Sequence, residues 1–212
     1  MTVGAGGYHE RVATAADGVK ADVKRLRLAA VGLELLEEFP YSEITVSMIA
    51  ERANMARGLV FYYFGDKDQY FKNVVRTFLD QQREVFADNV LDDSVSVQTW
   101  IAREVAIFLG IMSRYPRTMQ AVAERSWSSV ADHDGRTMTD FTAERIRQAY
   151  GVSPTDAIFD AAVHSWGIHT IDFVMRLQRS VKFDEEKAAA VLIAELNAIV
   201  ETLTPPHVSR GS

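Results

Sequence analysis

The chain contains no cysteine. That absence removes disulfide staples, thiolate zinc sites and cysteine nucleophiles together, and it suits a reducing compartment, so the cytoplasm is the expected location. Long apolar runs are missing too. Nothing reaches the roughly 18 consecutive residues that a membrane span needs, and the first residues lack the basic start and apolar middle of a signal peptide. No membrane partner is expected. A basic surplus is also lacking: 23 Lys and Arg stand against 29 Asp and Glu, a formal net charge of −6. This argues against a protein that coats nucleic acid without regard to sequence, because such affinity comes almost wholly from phosphate neutralisation. A localised basic surface is compatible with that total.

Catalytic and metal-binding patterns are equally scarce. There is no Gly-rich phosphate loop, no serine elbow and no paired-histidine zinc motif. His164 and His169 stand five apart, not the four that places two imidazoles on one helix face, and His133 falls in the loop "ADHDGR". The reading is a non-enzyme with no cofactor and no metal site.

What is present is an ordinary packing composition, 48% hydrophobic and 25% charged over 212 residues. Residues 1–18, rich in Gly, Ala and Thr without apolar period, read as a flexible arm, and residues 205–212, "PPHVSRGS", as a flexible tail. From Val19 to Phe39, apolar Val23, Leu26, Ala30, Leu33 and Leu36 or Phe39 recur at threes and fours, which predicts an amphipathic helix facing inward along that stripe. Lys20, Lys24, Arg25 and Arg27 crowd its first turns, where cations oppose the helix dipole. A binding role would explain that cost. "ITVSMIAERA" predicts a second short helix capped by Thr45, and Asn54 supplies a residue that tolerates the left-handed turn ending it.

The next stretch, "MARGLVFYYFGDKDQYF", is apolar or aromatic without break from Leu59 to Phe64. Val, Phe and Tyr favour strands, yet no hairpin or sheet partner lies nearby, and the flanking punctuation makes Arg57 to Phe64 about two turns of helix. Gly65 stops it, and Asp66 opens a long helix toward Phe86. On the helical wheel Val60, Phe61 and Phe64 share the inward side, while Gly58, Leu59, Tyr62 and Tyr63 lie outward. Aromatic residues at helical spacing commonly form core. Here the turn before, the cap after and the flanking cations Arg57 and Lys67 agree on a surface that touches something.

Beyond the acidic turn "LDDS" every segment reads helical: Val97 to Arg114, Arg117 to Val130, Arg136 to Tyr150, Pro154 to Val181 with Ser153 as cap, and Glu185 to Leu203. The fold class is all α. An N-terminal three-helix helix-turn-helix domain is expected over residues 19–72 and a larger helical domain over 73–204.

At this point residues Leu28 to Phe71, about a fifth of the chain, resemble the DNA-binding domain of the tetracycline-repressor (TetR) family, whose pattern "ITVSMIAERANMARGLVFYYFGDKDQYF" follows without a gap. The likeness rests on Thr45, Val46, Ile49, Ala50, Ala53, Gly58, Phe64 and Lys67 in order. It departs at Asn54 in place of the turn glycine, Ala56 in place of the capping serine and Phe61 in place of a tyrosine. The resemblance implies that Thr45 and Lys67 contact phosphates, that Arg57, Gly58, Leu59, Tyr62 and Tyr63 line the major groove, and that Lys24 with its basic neighbours reaches the DNA backbone or minor groove.

It also implies a ligand-responsive regulator, most naturally a repressor, that binds a palindromic double-stranded operator as a homodimer and is released by a small, largely apolar effector. The alternative is an all-α small-molecule-binding protein or enzyme whose helix-turn-helix is only structural. For the effector pocket the bulky candidates are Trp100, Phe108, Met112, Trp127, Trp166 and Phe173, with Met119 nearby and His169 as a polar group. For the dimer interface, Ala190, Ala194 and Ala198 repeat at fours on the last helix, and Ile168, Ile171 and Met175 supply apolar surface on the one before.

Overall fold

The computed structural model describes residues 23–125, 130–131, 135–180 and 183–204. Among them there are helices and no strands. The expected arm with Lys20, the tail, Trp127 and His133 lie outside the described residues. Backbone contacts divide the chain into two compact units, Met1–Thr77 and Phe78–Ser212.

In the first unit, helix α1 covers residues 23–38. Leu28, Ala29, Val31, Leu35 and Leu36 form its buried stripe, while Val23 and Leu26 are 60% and 59% exposed. The inward register expected from Val23, Leu26, Ala30 and Leu33 is therefore corrected. The chain carries two apolar stripes, and the one that packs contains Gly32. A Cβ there would collide with Val74 and stand 2.7 Å from the Tyr70 hydroxyl. Only glycine lets the buried Tyr70 lie flush against α1, where its hydroxyl donates to the Leu28 carbonyl at 2.6 Å.

Helix α2 (Val46–Arg52) starts at Thr45, whose side chain accepts from the Met48 N–H at 3.2 Å. Ile49, Ala50 and Ala53 are buried. Asn54 then takes a φ of 51°, the left-handed conformation the turn requires. Helix α3 (Arg57–Phe64) follows, and Gly65 ends it at φ 79°. Helix α4 (Lys67–Ala87) is capped by Asp66, which accepts from the Gln69 N–H at 2.8 Å. A run of edge-to-face rings, Phe64 to Tyr70 to Phe71 to Tyr41 with centroids 5.2, 4.8 and 5.2 Å apart, fastens α3 and α4 into the core.

The second unit contains α5 (Val97–Arg114), α6 (Pro116–Glu124), α7 (Met138–Tyr150), α8 (Ala157–Gln178) and α9 (Glu185–Leu203). Helix α8 packs on α7 and α9, and α5 on α9. Phe159, Val163, Val174, Leu192 and Leu196 fill that centre. Thr137 and Asp140 close α7 with a reciprocal capping box, and Gly151 ends it in the left-handed conformation. Helix α8 begins three residues later than Pro154. Asp156, not Ser153, is its cap, because one carboxylate oxygen accepts from both the Ile158 and Phe159 N–H groups, at 3.1 and 3.0 Å.

Candidate functional site

Helix α3 is eight residues long and buries only Val60 completely. Two turns offer a narrow inward sector: Phe64 is half-buried near Val60, whereas Phe61 is rotated about 100° from Val60 and ends 43% exposed. Phe61 was expected to hold the helix down. It instead lies on the outer surface, with the Arg57 guanidinium 5.8 Å from its ring centre.

The outer face is chemically distinctive. Tyr62 is 80% exposed and packs edge-on against half-buried Tyr63 at 5.3 Å. The Arg25 guanidinium of α1 lies 5.7 Å from the Tyr63 ring centre, which joins the basic first turns of α1 to this face. Leu59 is half-buried beside the group. Gly58 is exposed, and a Cβ built on it meets nothing within 4 Å. A glycine in the first turn of a helix costs up to about 1 kcal/mol against alanine, and nothing inside the unit requires it. The surface thus combines an arginine fork, two phenol rings and a bare stretch of backbone, all of which can meet base edges or phosphates.

Thr45 caps α2 from an exposed position, leaving its hydroxyl proton free to donate outward. Ala56, at the start of α3, provides no side-chain cap. Lys24 is exposed on α1. Lys67 is more occupied than its sequence position indicates: Nζ donates to the Tyr41 carbonyl at 2.6 Å and lies 4.1 Å from the Tyr41 ring centre. Part of its ammonium is committed within the unit.

The second unit holds a cavity of about 110 Å³. Phe108 and Trp166 line it, as do Met119 and Ile171. Trp100, Met112, His169 and Phe173 are not among the lining residues. Trp100 is buried elsewhere, its indole N–H donating to the Asn89 carbonyl at 2.9 Å and its ring carrying the Arg145 guanidinium at 5.2 Å. His169 points outward, 3.6 Å from Glu195 across to α9. The polar wall residues Gln82, Glu104, Thr139, Thr142 and Thr170 come from four helices and carry no bulk that marks them in the sequence. Ile168 is 50% exposed, and Ala190, Ala194 and Ala198 are exposed with Val191 beside them. Met175 is half-buried.

Residues 28–74 match the sequence profile of the family described as bacterial regulatory proteins, tetR family. The HTH-type transcriptional regulator BetI of Stenotrophomonas maltophilia is 32% identical over 65 residues, 31% of this chain and 33% of that protein. BetI of Burkholderia thailandensis is 34% identical over 58 residues, 27% of this chain and 30% of that protein. The match thus spans about a third of the length of these curated relatives. Over most of the chain the likeness is one of fold. A TetR transcriptional regulator from Rhodococcus sp. RHA1 superposes with a TM-score of 0.63 at 16% identity, covering 88% of this chain and 99% of that one. A tetR-family regulator from Streptomyces coelicolor gives 0.60 at 17%, covering 85% and 83%. Residues 28–74 are thus similar to the helix-turn-helix segment of the tetR family of bacterial regulatory proteins, and beyond that segment the chain shares the all-α fold of these solved structures.

Proposed function

We propose that the protein is a DNA-binding transcriptional regulator that lays the outer face of α3 in the major groove of a palindromic operator. The observation that carries this reading is the outer face itself: Tyr62 stands 80% exposed beside Arg57 and an unobstructed Gly58. A monomeric unit gains nothing from such a face, since exposed rings and a helical glycine both cost stability. Against DNA each has a use. Arg57 can donate as a fork to guanine, Leu59 can meet a thymine methyl, and Gly58 lets the backbone approach. Thr45, Lys24 and Lys67 serve as phosphate contacts that position the helix without choosing sequence.

The exposed Ile168, Ala190, Ala194 and Ala198 on α8 and α9 form the homodimer interface in this reading, and the cavity of the second unit receives a small effector. Repression follows if the effector prefers the conformation that binds DNA less well; a coupling of about 1–3 kcal/mol changes operator affinity roughly 5- to 150-fold. The test is selection of bound duplexes from a random pool at moderate salt. Enrichment of a shared, two-fold symmetric sequence supports the proposal, and recovery of the input distribution overturns it.

A further inference from the structure

Phe61 is the one ring on the outer face of α3 without a polar atom. Tyr62 and Tyr63 each end in a hydroxyl that can donate or accept, whereas Phe61 stands 43% exposed with only carbon and hydrogen to offer. The fold gains little from it there. Val60 is the residue of α3 that is completely buried, and a ring left in water returns only part of the apolar stabilisation that a core position would give.

The ring is nevertheless placed. Arg57 precedes Phe61 by four residues, so the two share one stripe of the helix, and helical side chains lean toward the N-terminus, which lays the ring back against the arginine. The guanidinium carbon lies over the ring, 5.8 Å from its centre. Among the described residues the guanidinium has no hydrogen bond or ion pair. Its five N–H donors are thus kept for another partner while the ring backs the cation on one side. Leu59 lies about 200° round the helix from both residues and addresses a different part of the groove.

We infer that Arg57 and Phe61 act as one unit that reads a guanine together with a neighbouring pyrimidine carrying a 5-methyl group, which makes Phe61 a specificity-determining residue. This rests on the reading of α3 as the groove helix. Guanine offers N7 and O6 to the arginine fork, and the apolar group that base pairs present in the major groove is the thymine methyl. Base pairs are about 3.4 Å apart, so a ring centred 5.8 Å from the guanidinium reaches the pair next to the guanine. Cytosine shows an amino group there and no methyl, and a phenyl ring against it would desolvate a donor without supplying an acceptor. 5-Methylcytosine restores the methyl. Methylation of a cytosine at that position therefore raises affinity with no change of base sequence.

The test uses the full-length protein and the duplex obtained by selection, with affinity read by fluorescence anisotropy at one fixed salt concentration. In each half-site the guanine whose preference relaxes in Arg57→Ala should have a thymine beside it. That thymine is replaced by uracil, by cytosine and by 5-methylcytosine, each correctly paired. Uracil differs from thymine only in the methyl, so affinity is expected to fall about three- to fourfold per half-site and roughly tenfold for both, the effect of burying one methyl at each. 5-Methylcytosine is expected to bind about three- to fourfold more tightly than cytosine per half-site on the same ground. In Phe61→Ala the thymine-to-uracil ratio should fall to near one while the guanine preference persists, and in Leu59→Ala the ratio should be kept. Phe61→Gln, also a good helix former, supplies the same comparison if the alanine variant does not fold.

Equal affinity for thymine and uracil, equal affinity for cytosine and 5-methylcytosine, or a ratio unchanged in the Phe61 variants would each overturn the inference and leave the groove reading standing. So would a selected palindrome with no thymine beside the Arg57-dependent guanine. Recovery of the input distribution in the selection overturns both.

Discussion

Gly58 and Gly32 are both helical glycines, and they make opposite predictions. At Gly32 the space a methyl would need is taken by Val74 and the Tyr70 hydroxyl. Gly32→Ala should destabilise the first unit by about 1–3 kcal/mol, because overpacking outweighs the gain in helix propensity; chemical denaturation followed by circular dichroism checks it. At Gly58 the space is open. Gly58→Ala should stabilise the same unit by up to about 1 kcal/mol, yet weaken binding to the selected duplex, since the added methyl stands where the backbone must approach DNA. A gain in stability with undiminished DNA affinity would remove the reason given for this glycine. Lys67 has a double duty if the proposed reading holds. Its Nζ holds the Tyr41 carbonyl, so Lys67→Ala should cost stability and also lower affinity for all duplexes alike, with a shallower salt dependence.

At the scale of the helix, Asp140 ties the start of α7. Burial pushes its carboxyl up, but the hydrogen bonds from the Thr137 N–H and hydroxyl, with smaller help from His164 and Arg83, prevail and hold it below the ordinary aspartate range. A lowered folded-state value means the unfolded chain binds the proton more readily, so this contribution is complete above about pH 4 and is lost as pH falls further. Thermal unfolding between about pH 5 and 3 should show a steeper loss for the native chain than for Asp140→Asn.

The helices themselves were largely legible in the sequence. Arg57–Phe64 and Val97–Arg114 coincide with the spans their punctuation predicted, because Gly65, Asp66 and Ser96 act locally. Registers were less legible. The inward stripe of α1 depends on Tyr70, 42 residues from the Leu28 carbonyl it reaches, and no local pattern encodes that distance. Phe61 failed for a related reason: a two-turn helix has room to bury one position fully, and hydrophobicity alone does not choose between neighbours.

For the molecule as a whole, the exposed alanines of α9 and Ile168 of α8 make a prediction about assembly. Ala194→Arg places a long charged side chain on a face of small residues and should shift the protein to monomer in sedimentation, with operator affinity lost in parallel. A variant that stays dimeric would move the interface elsewhere. A face suited to pairing was readable in the sequence, whereas the cavity wall was not, since its polar residues assemble from positions as far apart as Gln82 and Thr170. The central claim, that the outer face of α3 reads base edges, is tested most directly by repeating the duplex selection with Arg57→Ala. The expected result is the same palindrome with preference relaxed at one position in each half-site, at a cost of about 1–3 kcal/mol. An unchanged sequence preference at every position would contradict it.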